Sequence, residues 1–125
     1  MSPGYIQLGP QRLQSRADQA VHSLAECNLC PRQCLVNRNS GETGYCRTGR
    51  WAHVAAAHLH FGEEAPLVGS QGSGTIFFAG CNLGCVFCQN YDISHNTNQG
   101  QKVGSEQLAR IMLDLQNQGA LNINL

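Results

Sequence analysis

From Gln11 to Glu26, apolar side chains fall at Leu13, Ala17, Ala20, Val21 and Leu24, the three-and-four spacing of one helical face, and Pro10 suits a first turn. The pattern predicts an amphipathic helix. The same spacing returns at Leu108, Ile111, Met112 and Leu115, with Ser105 placed as an N-cap, Glu106 in the first turn and Gly119 placed to close the helix at C′. Between the two helices the period changes. Thr75-Ile76-Phe77-Phe78-Ala79 is a short apolar, β-branched and aromatic run between Gly74 and Gly80, which predicts a fully buried strand. Leu121, Ile123 and Leu125 alternate with Asn122 and Asn124, which predicts a second strand with one apolar and one amide face. Strand, helix and strand make a βαβ unit, expected to be parallel with a right-handed crossover. Trp51 to Phe61 suits a strand, although its alanines also permit a helix. Residues 1 to 9 read as a lead-in, Gly62 to Gly74 as a linker and His95 to Lys102 as a polar stretch.

A different organisation is expected from Cys27 to Arg50. Pro31, Gly41, Gly44 and Gly49, mixed with Asn and Ser, leave no room for long elements, so ligand bonds must order this stretch. The fold class expected is α/β: residues 1–50 as an N-terminal helix and Cys-rich module, residues 51–125 as the start of a core domain. At 125 residues the chain is at most one ordinary domain. Eight Lys+Arg balance eight Asp+Glu, and only 13% of residues are charged, so no global field favours a polyanion or an anionic membrane; nucleic acid is not the expected partner. With 42% apolar residues and a mean hydropathy of −0.26, composition predicts neither disorder nor membrane insertion. The opening residues lack the basic start and apolar centre of a secretory signal, so a cytoplasmic location is expected.

The seven cysteines carry the chemistry. An odd number in a reducing compartment favours metal or redox sites over a disulfide framework. Cys27, Cys30, Cys34 and Cys46 form C-x2-C-x3-C-x11-C, whereas Cys81, Cys85 and Cys88 form C-x3-C-x2-C after 34 residues without cysteine. Four thiolates can close a tetrahedral zinc site or hold an auxiliary iron-sulfur cluster, and spacing does not choose between them. Arg32, Arg38, Arg47 and Arg50 crowd this segment and are expected to offset thiolate charge. Three thiolates on a 4Fe-4S cluster leave one iron without a protein ligand, which argues for chemistry rather than storage. Their loop is expected to leave the carboxyl end of a buried strand, where α/β proteins place ligands, and Gly80 and Gly84 allow tight turns around something bulky.

C-x3-C-x-aromatic-C, with Phe87 as the aromatic, resembles the signature of the radical S-adenosylmethionine enzymes. The wider run, Gly69-Ser70-Gln71-Gly72-Ser73-Gly74-Thr75-Ile76-Phe77-Phe78, then Cys81 to Cys88, Gln89, Asn90 and Tyr91, is similar to the subgroup related to pyruvate formate-lyase activating enzyme. Some members of that subgroup also carry a Cys-rich segment before the barrel, resembling Cys27-Asn28-Leu29-Cys30-Pro31 through Gly41-Glu42-Thr43-Gly44-Tyr45-Cys46. The resemblance covers roughly residues 27 to 125. It implies that Cys81, Cys85 and Cys88 hold a 4Fe-4S cluster while S-adenosylmethionine chelates the remaining iron. An electron from the cluster then cleaves the sulfonium and yields a 5′-deoxyadenosyl radical that abstracts hydrogen from a substrate. It also implies Phe87 near the adenine, an electron donor such as a flavodoxin or ferredoxin, and a protein substrate of glycyl-radical type. Asn122 and Asn124, facing a barrel lumen, are expected to line the cofactor pocket. A radical S-adenosylmethionine barrel usually has six βα units, and this chain supplies about one and a half. The expectation is therefore a partial sequence: a Cys-rich module, then the first βαβ unit of an incomplete (β/α) barrel, inactive alone and with an unpaired strand edge. The competing reading is a non-catalytic iron-sulfur or zinc-binding module for electron transfer or structure. A third, an RNA-binding zinc knuckle, has only Tyr45 and Trp51 as aromatics among its arginines.

The other polar candidates are given no role. His53, His58 and His60 read as half-exposed strand residues, Glu63 and Glu64 as solvated surface, and His95 has no visible partner in the sequence.

Overall fold

A computed structural model describes residues 4–125. Two N-terminal helices, α1 (Gly4–Leu8) and α2 (Pro10–His22), are followed by a 3-10 turn over Ser23–Glu26 and an irregular stretch with a second such turn at Arg38–Ser40. Then come β1 (Ala52–His60), α3 (Ala65–Val68), β2 (Ser73–Phe78), α4 (Tyr91–Ser94), β3 (Gln101–Val103), α5 (Ser105–Asn117) and β4 (Ile123–Asn124). The fold is α/β, built on one four-stranded mixed sheet in the order β3-β1-β2-β4.

Both predicted helices form, with adjusted ends. The first starts at Pro10 and gives way to the 3-10 turn at Ser23. None of the residues of α2 is buried, so its apolar stripe is uncovered. The second begins one residue earlier than a Ser105 N-cap requires. Gly104 takes the cap position in extended conformation, and the Gln107 side chain accepts its N–H at 2.9 Å, which draws Ser105 into the first turn. Gly119 closes this helix at φ 105°, as its position suggested.

The predicted pair of strands, β2 and β4, is parallel, with Gly74 opposite Ile123 and Thr75 opposite Asn124, and α5 lies between them in sequence. Two features correct the simple βαβ picture. Trp51–Phe61 resolves as strand β1, which runs antiparallel to β2 from Val54 opposite Phe78 to His60 opposite Ser73, with an irregularity between Val54 and Ala56. The expected polar stretch contains β3, which pairs antiparallel with β1 through Ala52–Val103, His53–Lys102 and Val54–Gln101. Three residues with two exposed give no alternation to read. Of β2, Ser73, Gly74 and Ile76 are buried and Phe77 and Phe78 only half-buried, so the strand is less enclosed than its composition predicted. Among the described residues, Ile76, Ala79, Val103, Leu115, Val68 and Cys27 form the buried apolar set. Leu115 of α5 and Ile76 of β2 place that core beside the strand whose carboxyl end carries the second cysteine group.

Candidate metal centre

The site begins where β2 ends. Ala79 is 1% exposed, and its N–H bonds the His53 carbonyl at 2.7 Å, which fixes the end of the strand. Gly80 then turns the chain at φ 91°, in the left-handed region that favours glycine. A side chain there has no room: a Cβ would lie 2.6 Å from the Cys46 carbonyl oxygen and 2.8 Å from Thr48 Cγ2. At Gly84, φ 70°, a Cβ would run into the Tyr45 hydroxyl. The loop from Cys81 to Cys88 therefore lies directly against the first cysteine segment.

Its three thiols are all half-buried. The Leu83 N–H points at Cys81 Sγ, 3.4 Å away, and the Ser94 hydroxyl points at Cys88 Sγ at the same distance. Ser94 Oγ also lies 2.8 Å from His95 Nδ1, and the His95 ring stacks on Tyr91 with centroids 4.0 Å apart. Phe87 and Val86 project outward, 86% and 88% exposed.

The first group is ordered by a tight knuckle. The Cys27 N–H bonds the Val36 carbonyl at 3.1 Å, and Leu35 returns a bond to Cys27 at 2.9 Å. Gln33 donates to the Cys30 carbonyl at 3.0 Å, and both Gln33 and Leu35 hold positive φ. Arg38 is the centre of this group. It is 6% exposed, donates to the Thr48 carbonyl and to Thr48 Oγ1 at 3.2 Å, and reaches Cys46 Sγ at 3.4 Å. Burial alone would make its guanidinium easier to deprotonate, but contacts with the Cys27 and Cys46 thiols outweigh this and hold it more firmly charged. Burial pushes the Cys46 thiol up; the Thr48 hydroxyl at 3.0 Å, the Thr48 amide and Arg38 together pull it below the ordinary thiol value. Cys30 is also held low, first by the Arg32 amide and then by the Asn82 side chain, against the opposing effects of desolvation and of Cys46. Cys34 lies against Gly44, where a Cβ would come 2.6 Å from its sulfur.

The two groups are clasped together. Arg32 donates to the carbonyls of Asn82 at 2.9 Å and Leu83 at 3.1 Å, and its guanidinium lies 3.7 Å over the Tyr45 ring. Arg47 donates to the His95 carbonyl. Between the groups is a cavity of about 300 Å³ with Cys46, Cys81, Ser94 and His95 among its walls. No three His, Cys, Asp or Glu side chains among the described residues form a ready-made ligand set for a metal ion. Cys81, Cys85 and Cys88 share one loop, and Cys27, Cys30, Cys34 and Cys46 share one knuckle-containing segment.

The structure does not bring Asn122 and Asn124 to the loop. Asn122 bonds Ser73 Oγ and donates to the Leu67 carbonyl at 2.8 Å, while Asn124 donates to Ser73 Oγ at 2.9 Å. Both amides thus sit at the amino end of β2, whereas the loop follows its carboxyl end, beyond Phe78 and the Gly80 turn. Of the four arginines expected to offset thiolate charge, Arg38 touches thiols; Arg32 and Arg47 tie loops together, and Arg50 bonds Asn39 at 2.9 Å beside Trp51. Sequence reasoning missed Thr48, Ser94 and His95. Tyr91 and His95, four apart beside a short helix, were the readable signal for the last.

No family model matches the chain, and no solved structure matches it. The chain is 44% identical over 85 residues to "Uncharacterized protein MJ0674" of Methanocaldococcus jannaschii, an alignment that takes in 68% of this chain and 24% of that protein. The chain therefore spans about a quarter of the length of the curated relative it matches.

Proposed function

We propose that this chain is the N-terminal portion of a radical S-adenosylmethionine enzyme, similar to pyruvate formate-lyase activating enzyme, in which Cys81, Cys85 and Cys88 ligate a 4Fe-4S cluster. The observation that carries the reading is the loop itself: three thiols within eight residues, following the end of β2 at Gly80, where a Cβ would meet the Cys46 carbonyl oxygen. The donor set fits the group. Soft thiolates suit iron-sulfur clusters, and the Leu83 amide and Ser94 hydroxyl already address two of the sulfurs, the kind of contact that tunes cluster potential.

Bound there, a reduced cluster supplies the electron for reductive cleavage of S-adenosylmethionine, from which hydrogen abstraction follows. The chain's own residues have simpler tasks. The Gly80 turn aims the loop away from the sheet, Arg32 holds its Asn82 and Leu83 carbonyls, and Phe87 offers an open aromatic face for the adenine. A one-electron donor such as a flavodoxin or ferredoxin completes the scheme, and a protein of glycyl-radical type is the substrate class proposed. For the first group we propose a zinc ion or an auxiliary cluster on Cys27, Cys30, Cys34 and Cys46, supported by Arg38, whose buried charge complements thiolates.

Anaerobic reconstitution with iron and sulfide tests the proposal. A four-iron cluster is expected in the wild type, with an electron paramagnetic resonance signal that changes when S-adenosylmethionine is added. Replacing Cys81, Cys85 and Cys88 together with alanine should remove it. Undiminished cluster absorbance in that triple variant would overturn the assignment. A closed cluster with no response to S-adenosylmethionine would favour a structural or electron-transfer module.

A further inference from the structure

Half of the chain's positive charge is gathered around one cavity that the metal chemistry does not use. Arg38, Arg47, Arg50 and Lys102 are four of the eight Lys and Arg residues, and all four line a cavity of about 290 Å³ between the Cys-rich segment and the β1–β3 edge. His53 and Trp51 line it too, and none of the lining residues is acidic. In a chain with zero net charge this concentration is local, not a consequence of composition. The cations also arrive on fixed supports. Lys102 sits on β3 opposite His53 of β1, so cross-strand pairing sets both positions. Arg50 is oriented by its bond to Asn39 and by the Trp51 ring, 4.9 Å below its guanidinium. Arg47 is anchored by one nitrogen on the His95 carbonyl. Arg38, although committed to Thr48 and thiols, adds its field from a buried position.

We infer that this cavity binds a small phosphate-type anion: inorganic phosphate, pyrophosphate or a phosphomonoester group. Planar guanidinium groups match the paired oxygens of a tetrahedral oxyanion, and several cations held by the fold before binding avoid the entropy of gathering them. The size of the cavity suits a phosphate-bearing group rather than a polymer backbone, and the remaining charge of the chain offers no track for one. The inference is independent of whether the cysteines hold a cluster.

Trp51 is the only tryptophan in the sequence, so its fluorescence reports on this cavity. The 125-residue chain is titrated at constant ionic strength with pyrophosphate, inorganic phosphate and glycerol 3-phosphate, with chloride as reference. A saturable change is expected with phosphate-type anions and not with chloride, and the three probes rank free against esterified phosphate. Arg50→Gln and Lys102→Gln should each weaken binding by about tenfold, the loss of one charge-assisted hydrogen bond. Lys102→Arg should keep it, and Arg12→Gln and Arg16→Gln, on exposed α2, should leave it unchanged. The inference falls if chloride produces the same change as the phosphate-type anions, or if the α2 variants weaken binding as much as Arg50→Gln. It falls equally if only an RNA oligomer binds, with affinity collapsing steeply with salt.

Discussion

Gly80→Ala tests the close seating of the two cysteine groups. The substitution acts in two ways. At φ 91° an alanine pays the strain of the left-handed region, about 1–2 kcal/mol. Its methyl group also meets the Cys46 carbonyl oxygen at 2.6 Å, Thr48 Cγ2 at 2.8 Å and Thr97 Cγ2 at 3.0 Å. The first of these is backbone and cannot rotate aside, so overpacking adds about 1–3 kcal/mol. The sum is about 2–5 kcal/mol, against a total stability of about 5–15 kcal/mol for a domain. Gly41→Ala supplies the control: φ is 94°, but nothing lies within 4 Å of the added carbon, so only the strain of about 1–2 kcal/mol applies. Urea denaturation of both variants measures the difference. Gly80→Ala should be the less stable by about 1–3 kcal/mol at unchanged m-value. Equal losses would mean that the Cys46 segment does not press on the loop, and the described docking would be wrong.

Arg38→Met should cost about 2–4 kcal/mol in chemical denaturation, because the Thr48 carbonyl loses a buried donor and the Cys27 and Cys46 thiols lose their neighbouring charge; a loss below about 0.5 kcal/mol would place Arg38 at the surface. Thr48→Val in the metal-free protein should move the alkylation profile of Cys46, read by mass spectrometry, to higher pH, since it removes the hydroxyl that helps hold this thiol below 9.0. The sign follows from linkage. A thiol depressed in the folded state contributes stability that is complete above 9.0 and lost as pH falls through its folded value, so Thr48→Val should cost more stability at alkaline than at neutral pH. An unchanged alkylation profile would contradict the role given to Thr48.

What was legible in the sequence followed from periodicity and spacing. The i, i+3, i+4, i+7 pattern located α5, the apolar run located β2, and the cysteine spacing marked both the loop and the knuckle. The start of α5 was misplaced by one residue because Gln107 caps from within the helix, a reciprocal contact that residue preference at Ser105 does not show. β3 was invisible because Gln101 and Lys102 are exposed and pairing, not burial, makes it a strand. The antiparallel β1–β2 pairing was also beyond reach, since Ala55, Ala56 and Ala57 carry no clear preference. Within the site, sequence named the thiols but not their neighbours. Thr48 and Arg38 matter through a fold-dependent approach to Cys46, and Ser94 through an approach to Cys88. Of the alternating stretch from Leu121 to Leu125 only Ile123 and Asn124 form strand, and the amides of Asn122 and Asn124 both meet Ser73, a buried hydroxyl that needs them.

The central claim is that three thiolates leave one iron free for S-adenosylmethionine. Electron paramagnetic resonance of the reduced, reconstituted protein, recorded with and without S-adenosylmethionine in a Cys27, Cys30, Cys34 and Cys46 quadruple alanine variant, isolates the later loop. The account predicts a four-iron signal that shifts when S-adenosylmethionine is added. A signal indifferent to it, or zinc as the metal held by Cys81, Cys85 and Cys88, would contradict the account.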